Sequence, residues 1–195
     1  MYKKTFVSRV YEFLTSKEEV LVKRIVRIFY YIMYYCFARH LPGNAKPYSF
    51  GARQIRGYIA KHLLKKCGNN PFVEHGASFS DGSHLEIGDD CSIGINCQVA
   101  RARLGNNVIM GPDVVFIANN HDFSNPGTSM KYRGYMPAPV ITVGDNTWIG
   151  TRVIILPGRQ IGKDCIIGAG AVVTRNVPDN AIAAGNPAKI IRFRK

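Results

Sequence analysis

Acidic residues are scarce in this chain: 13 Asp and Glu stand against 26 Lys and Arg in 195 residues, a formal net charge of +13. The shortage is local. Residues 1–72 hold 14 basic and 3 acidic residues, whereas 73–195 hold 12 and 10. A partner attracted by charge should therefore meet the first third. Cysteine is sparse too, with five residues, an odd number, no CxxC and no tight cluster. That argues against a disulfide scaffold and for free thiols in a reducing compartment. No signal peptide is expected, since a charged start runs into Glu12 before any long apolar stretch. The uncharged stretch from Ile28 to Ala38 has eleven residues, well short of the ~20 that cross a bilayer. His62, His75, His84 and His121 lack the tight spacing of metal ligands, so no metal site is expected. With 46% hydrophobic and 20% charged residues, the chain fits one domain with an appendage rather than a disordered tail.

What is present is a period of six. Val143, Ile149, Ile155, Ile161, Ile167 and Val173 recur at every sixth position, and Gly follows at 144, 150, 162 and 168. The same register runs upstream through Ile87, Ile93 and Val99, then Leu104, Met110 and Phe116, with one residue missing between Val99 and Leu104. Six is neither the helical period nor strand alternation. It is the spacing of a short strand plus a turn, three of which close a triangular coil. The aliphatic residue points inward and stacks on its equivalent one coil away, and each coil needs a neighbour to bury its apolar edge. The expected architecture is a parallel β-helix. The polar, Gly- and Pro-containing segment 119–139 interrupts it and reads as a long excursion of the kind usually kept for function.

Two helical segments are expected before the coils. From about Lys17 to Ala38, apolar residues form a helical stripe with Lys23, Arg24 and Arg27 on the other side. A second segment runs from Gly51 to Cys67 and stops at Gly68. The expected division is a basic helical segment, 1–72, and a repeat domain, 73–195, ending in a short basic tail.

The hexads, with "NNHDF", "WIGTRVIILPG", "IGAGAVVTRNVP" and "AAGNPAKII", resemble the hexapeptide-repeat acyltransferases over about residues 73–192. The similarity is greatest to the branch of galactoside, maltose and capsular-polysaccharide O-acetyltransferases. It implies a left-handed β-helix, all-β with an α-helical N-terminal appendage, assembled as a homotrimer with sites between subunits. It also implies acetyl-CoA as co-substrate and a sugar or glycan acceptor.

On this resemblance His121 is the expected general base. A hydroxyl attacking a thioester must lose a proton, and an imidazole near neutral pKa suits that step. Asn96 matches an asparagine placed near the acceptor, although an Asn at a β-helix corner is equally expected from its tolerance of left-handed backbone. Asp122 is not assigned as an orienting carboxylate. Trp148, the only tryptophan, is expected from the resemblance beside the coenzyme or the acceptor, or packed under a loop or at a subunit contact. Coenzyme contacts carry over to Gly150, Thr151, Ala169, Thr174, Arg175 and Arg192. Small residues let the pantetheine arm approach backbone, and the arginines offer charge-assisted bonds to phosphate. Corner glycines are needed by the coil in any case. Cys91, Cys97 and Cys165 share one hexad slot and are not expected as nucleophiles.

The expected function is O-acetylation of a sugar hydroxyl in cell-surface polysaccharide biosynthesis, by direct transfer from acetyl-CoA. N-acetylation of an amino sugar or other small amine, and a non-catalytic scaffold or membrane-docking protein, are the alternatives. The segment 17–38 suits a peripheral membrane contact or packing on the coil or another subunit. A cytoplasmic setting, at the inner face of the membrane if that contact is made, is expected, and nucleic acid is not.

Overall fold

The structure, a computed structural model, describes residues 6–195 apart from 45, 125, 126, 128 and 138, with side chains described from residue 20. Helix α1 spans Phe6–Cys36 and α2 spans Ala52–Leu63. Everything that follows is short strand and turn. The first sheet stacks Lys66–Cys67, Leu85–Ile87, Ala102–Leu104, Ile141–Val143 and Gln160–Ile161. The second stacks Phe72–Val73, Ser92–Ile93, Ile109–Met110, Trp148–Ile149, Ile166–Ile167 and Ala181–Ala184. The third stacks Gln98–Val99, Val115–Phe116, Ile154–Ile155 and Val172–Val173. Pairing is parallel throughout, so the chain visits the three sheets in turn and climbs one coil per circuit: a parallel β-helix. The last strand, Lys189–Phe193, folds back antiparallel on Ala181–Ala184 and covers the end of the second sheet.

The hexad residues do what their period requires. Ile87, Ile93, Ile149, Ile155, Ile167 and Val173 are all buried inside the prism. The residue missing after Val99 is absorbed at a corner, where only Ala100 and Arg101 separate two strands. Strand register survives it: Leu104 pairs with Ile87 below and Val143 above. Between the first and second sheets the chain turns through left-handed Asn70, Asp90, Asn107, Asn146, Asp164 and Asn180. Asn and Asp tolerate that backbone. They also link coils, as in Asn146 Nδ2 to Asp164 Oδ1 at 2.6 Å.

The helices close the first coil. Tyr34 is fully buried, donates its hydroxyl to the Ala77 carbonyl at 3.0 Å and packs its ring 4.5 Å from Phe79. Arg56 of α2 is buried and donates to the carbonyls of Val73, Leu41 and Pro42, with Glu74 at 3.5 Å. Two sequence expectations shift. α1 begins at Phe6, not near Lys17. α2 ends at Leu63, because Lys66–Cys67 leave the helix to pair with Glu86–Ile87 in the first sheet.

Candidate functional site

The excursion leaves the corner after Val115–Phe116 and returns before Ile141–Val143. Its base is closed by a short antiparallel contact. Met136 N donates to Asn120 O at 2.9 Å, Asp122 N donates to Gly134 O at 3.2 Å, and His121 bridges Tyr135. His121 is held within that contact. Its Nδ1 lies 3.2 Å from the Gly134 carbonyl, which can only accept, so the proton sits on Nδ1 and Nε2 is left as a base. The ring packs 4.6 Å from that of Tyr135 and its outer edge is exposed. Asp122 turns away to Ser124, whose side chain and then its backbone N–H, 2.9 Å away, hold the Asp122 carboxyl below the usual carboxylate range.

A second group of residues lies on a different corner, between the second and third sheets. Coil by coil, Ile95, Pro112, Thr151 and Ala169 share one position there, and Asn96, Asp113, Arg152 and Gly170 share the next. Asn96 is left-handed, φ 56°, so it does serve as a corner residue. Its side chain is exposed and its Nδ2 donates to Asp113 Oδ1 at 3.3 Å, while Asp113 faces Arg152 at 3.8 Å. The Thr151 and Ala169 N–H groups take no backbone partner among the described residues. Gly150 is required by the coil: a Cβ there would lie 2.7 Å from Ala169 N.

Trp148 stands on the outer face of the second sheet, half exposed, between Ile109 and Ile166. Arg192 pairs with Ile182 at the far end of that same face. Thr174 and Arg175 instead follow Val172–Val173, on the corner from which the excursion leaves. The sequence-derived residues thus fall into two groups. Asn96, Gly150, Thr151 and Ala169, with Trp148 and Arg192 alongside, lie on one edge of the third sheet, and His121, Thr174 and Arg175 lie on the other. The side of the prism between these corners is roughly 15 Å wide at ~3.3 Å per residue. A groove of about 970 Å³ along the first sheet, lined among others by Arg103, Gln160 and Asp179, contains none of them.

Sequence reasoning missed Asp113 and Tyr135. Asp113 was legible, since it stacks one coil from Asn96. Tyr135 was not, because the closure of a loop base has no periodic signal. The buried cysteines are inert: burial pushes the Cys97 thiol up to about 11 and raises those of Cys91 and Cys165. No cluster of His, Cys, Asp and Glu suited to a metal ion occurs among the described residues.

Comparison with known proteins gives the following. Residues 141–175 match the family described as bacterial transferase hexapeptide (six repeats), and residues 84–112 match hexapeptide repeat of succinyl-transferase. The chain is 34% identical over 140 residues to a galactoside O-acetyltransferase of Escherichia coli (strain K12), covering 70% of this chain and 68% of that one. It is 36% identical over 140 residues to the putative acetyltransferase YJL218W of Saccharomyces cerevisiae, covering 70% of each. Among solved structures, a maltose O-acetyltransferase from Clostridium difficile 630 superposes with TM-score 0.70 at 27% identity, over 89% of both chains. A galactoside acetyltransferase in complex with coenzyme A superposes with TM-score 0.68 at 30% identity, over 90% of this chain and 82% of that one.

Proposed function

We propose, from the premise that this chain belongs to the hexapeptide-repeat acetyltransferase family, that it transfers acetyl from acetyl-CoA to a sugar hydroxyl with His121 as general base. The observation that carries the reading is the His121 ring itself, with Nδ1–H held by the Gly134 carbonyl and Nε2 open at the edge of the coil. As the acceptor oxygen attacks the thioester carbonyl, Nε2 takes its proton. The Gly134 carbonyl stabilises the positive charge that the ring gains. The free N–H groups of Thr151 and Ala169 suit the amides of a pantetheine arm or the oxyanion formed by attack. Asn96, whose carbonyl oxygen lies against Gly76 of the neighbouring coil, keeps its amide nitrogen beside Asp113 on the outside of the corner, where its N–H suits the oxygen of an acceptor or of the thioester carbonyl. Arg192 and Arg175 supply charge for the phosphates of the donor.

The separation of the two groups supports a site shared between copies. One corner supplies the base and the neighbouring copy's other corner seats the donor, as in a closed homotrimer. The names of the relatives favour a sugar acceptor, and we place the reaction in cell-surface polysaccharide assembly.

The test is release of CoA thiol from acetyl-CoA with the full chain and a panel of galactosides, maltosides and amino sugars. His121→Ala should lower kcat by about 10²–10⁴ while calorimetry with CoA is unchanged. A wild-type rate in that variant sinks the assignment of the base. Turnover confined to amino acceptors moves the reaction to nitrogen.

A further inference from the structure

The apolar side of α1 faces away from the protein. At 100° per residue, Leu21, Val22, Ile25, Ile28, Phe29 and Ile32 fall within an arc of roughly 120°. Each is between 52% and 58% exposed. The opposite side makes the contacts with the coil: Arg27 donates to the Asp81 carbonyl at 2.7 Å, and Tyr34 donates to Ala77. That is the reverse of a helix packed by its apolar stripe, which buries the stripe and exposes the charges. The apolar surface continues into a groove of about 420 Å³ between the helices, where Phe29, Tyr30, Met33, Ile55, Tyr58 and Ile59 form most of the lining.

Charge decides what can cover it. From Val20 to Val73 there is no Asp or Glu and there are ten Lys and Arg. A second copy of this segment would meet its own charge, whereas an anionic surface would be attracted. Arg24 is exposed and borders the apolar arc beside Ile28, within reach of headgroups while its stem stays on the apolar layer, and Lys23, also exposed, adds charge from the other side of the helix. Tyr31, exposed beside the arc, adds a ring with an apolar body and a polar tip, suited to headgroup depth. No helix among the described residues is long and apolar enough to cross a membrane. We infer that α1 and the groove it forms with α2 dock on a bilayer containing anionic phospholipid, the helix lying in the headgroup plane. None of these residues belongs to the acetyl-transfer corners, so the inference stands apart from the proposed reaction.

Sedimentation of the full chain with vesicles tests it. One set is phosphatidylcholine alone, and the other has one part phosphatidylglycerol to two of phosphatidylcholine. The chain should pellet with the anionic set and not with the neutral one, and binding should weaken as salt rises. Ile25→Glu with Phe29→Glu should reduce partitioning at least about tenfold, as should Lys23→Glu with Arg24→Glu. All four side chains are exposed, so thermal unfolding should be unchanged. Equal partitioning to both vesicle sets, or parental binding by the Ile25/Phe29 variant, overturns the inference. So does light scattering in which that variant splits an assembly while the parent ignores vesicles, since a second copy would then be the cover.

Discussion

Single residues show how much of a candidate site the coil needs for its own turns. Asn96 was open to two readings from sequence, corner residue or acceptor contact, and the structure gives it the first without removing the second. Its backbone makes the left-handed turn while its amide is aimed by Asp113. Arg56 is different, since its charge is buried and committed to holding the segment between the helices. Methionine there would leave the Val73 and Pro42 carbonyls without their donor and the Glu74 carboxylate without its counter-charge. Loss of one partner from a buried charged network costs about 3 kcal/mol, so urea unfolding of Arg56→Met should show that loss at an unchanged slope. The thiols predict alkaline sensitivity. Burial raises the Cys67 and Cys97 thiols above their ordinary range, to about 11, so the unfolded chain releases these protons first. Their contribution is intact below pH 9 and is lost as pH rises towards 11, by about 1.4 kcal/mol per pH unit per thiol. Unfolding curves at pH 8 and 10 check the sign, and replacing both thiols with Ala should reduce the difference.

At the scale of elements, the strands were legible and the helix ends were not. Hexad residues are visible because each aliphatic must stack on its equivalent, which fixes a period without reference to distant sequence. Gly94 illustrates how tightly the coils sit: a Cβ there would collide with the Gly111 carbonyl oxygen, which is backbone and cannot swing aside. Gly94→Ala should therefore destabilise by about 1–3 kcal/mol, as overpacked positions do, read as a lowered Tm. The start of α1 was missed because the apolar stripe was followed only from about Lys17, and the helix begins earlier, at Phe6. The end of α2 was missed for the opposite reason. Lys65 and Lys66 look like a basic last turn before a glycine stop, yet Lys66 and Cys67 gain a parallel partner strand twenty residues away. A long-range pairing overrode a local signal.

For the whole molecule, sequence named candidate residues but not their grouping. His121 and Asn96 read as neighbours only if the site is imagined as a single patch. The prism puts them on different corners, because one follows the third sheet and the other precedes it. If the proposed site forms between copies, inactivating the two corners in different chains should allow partial recovery. His121→Ala removes the base corner, and Ala169→Arg, on an exposed position, fills the donor corner. Each variant alone should be inactive with every partner identical. When the two are co-expressed and mix at random, an intact site needs its base from one variant and its donor corner from the other. About a quarter of the interfaces in a closed ring then satisfy both. A recovered rate near that fraction, from particles with a light-scattering mass of three chains of 21.7 kDa, is the expected result. No recovery from verified mixed assemblies would place the base and the donor within one chain, and the excursion would then have to fold across the third sheet to bring them together.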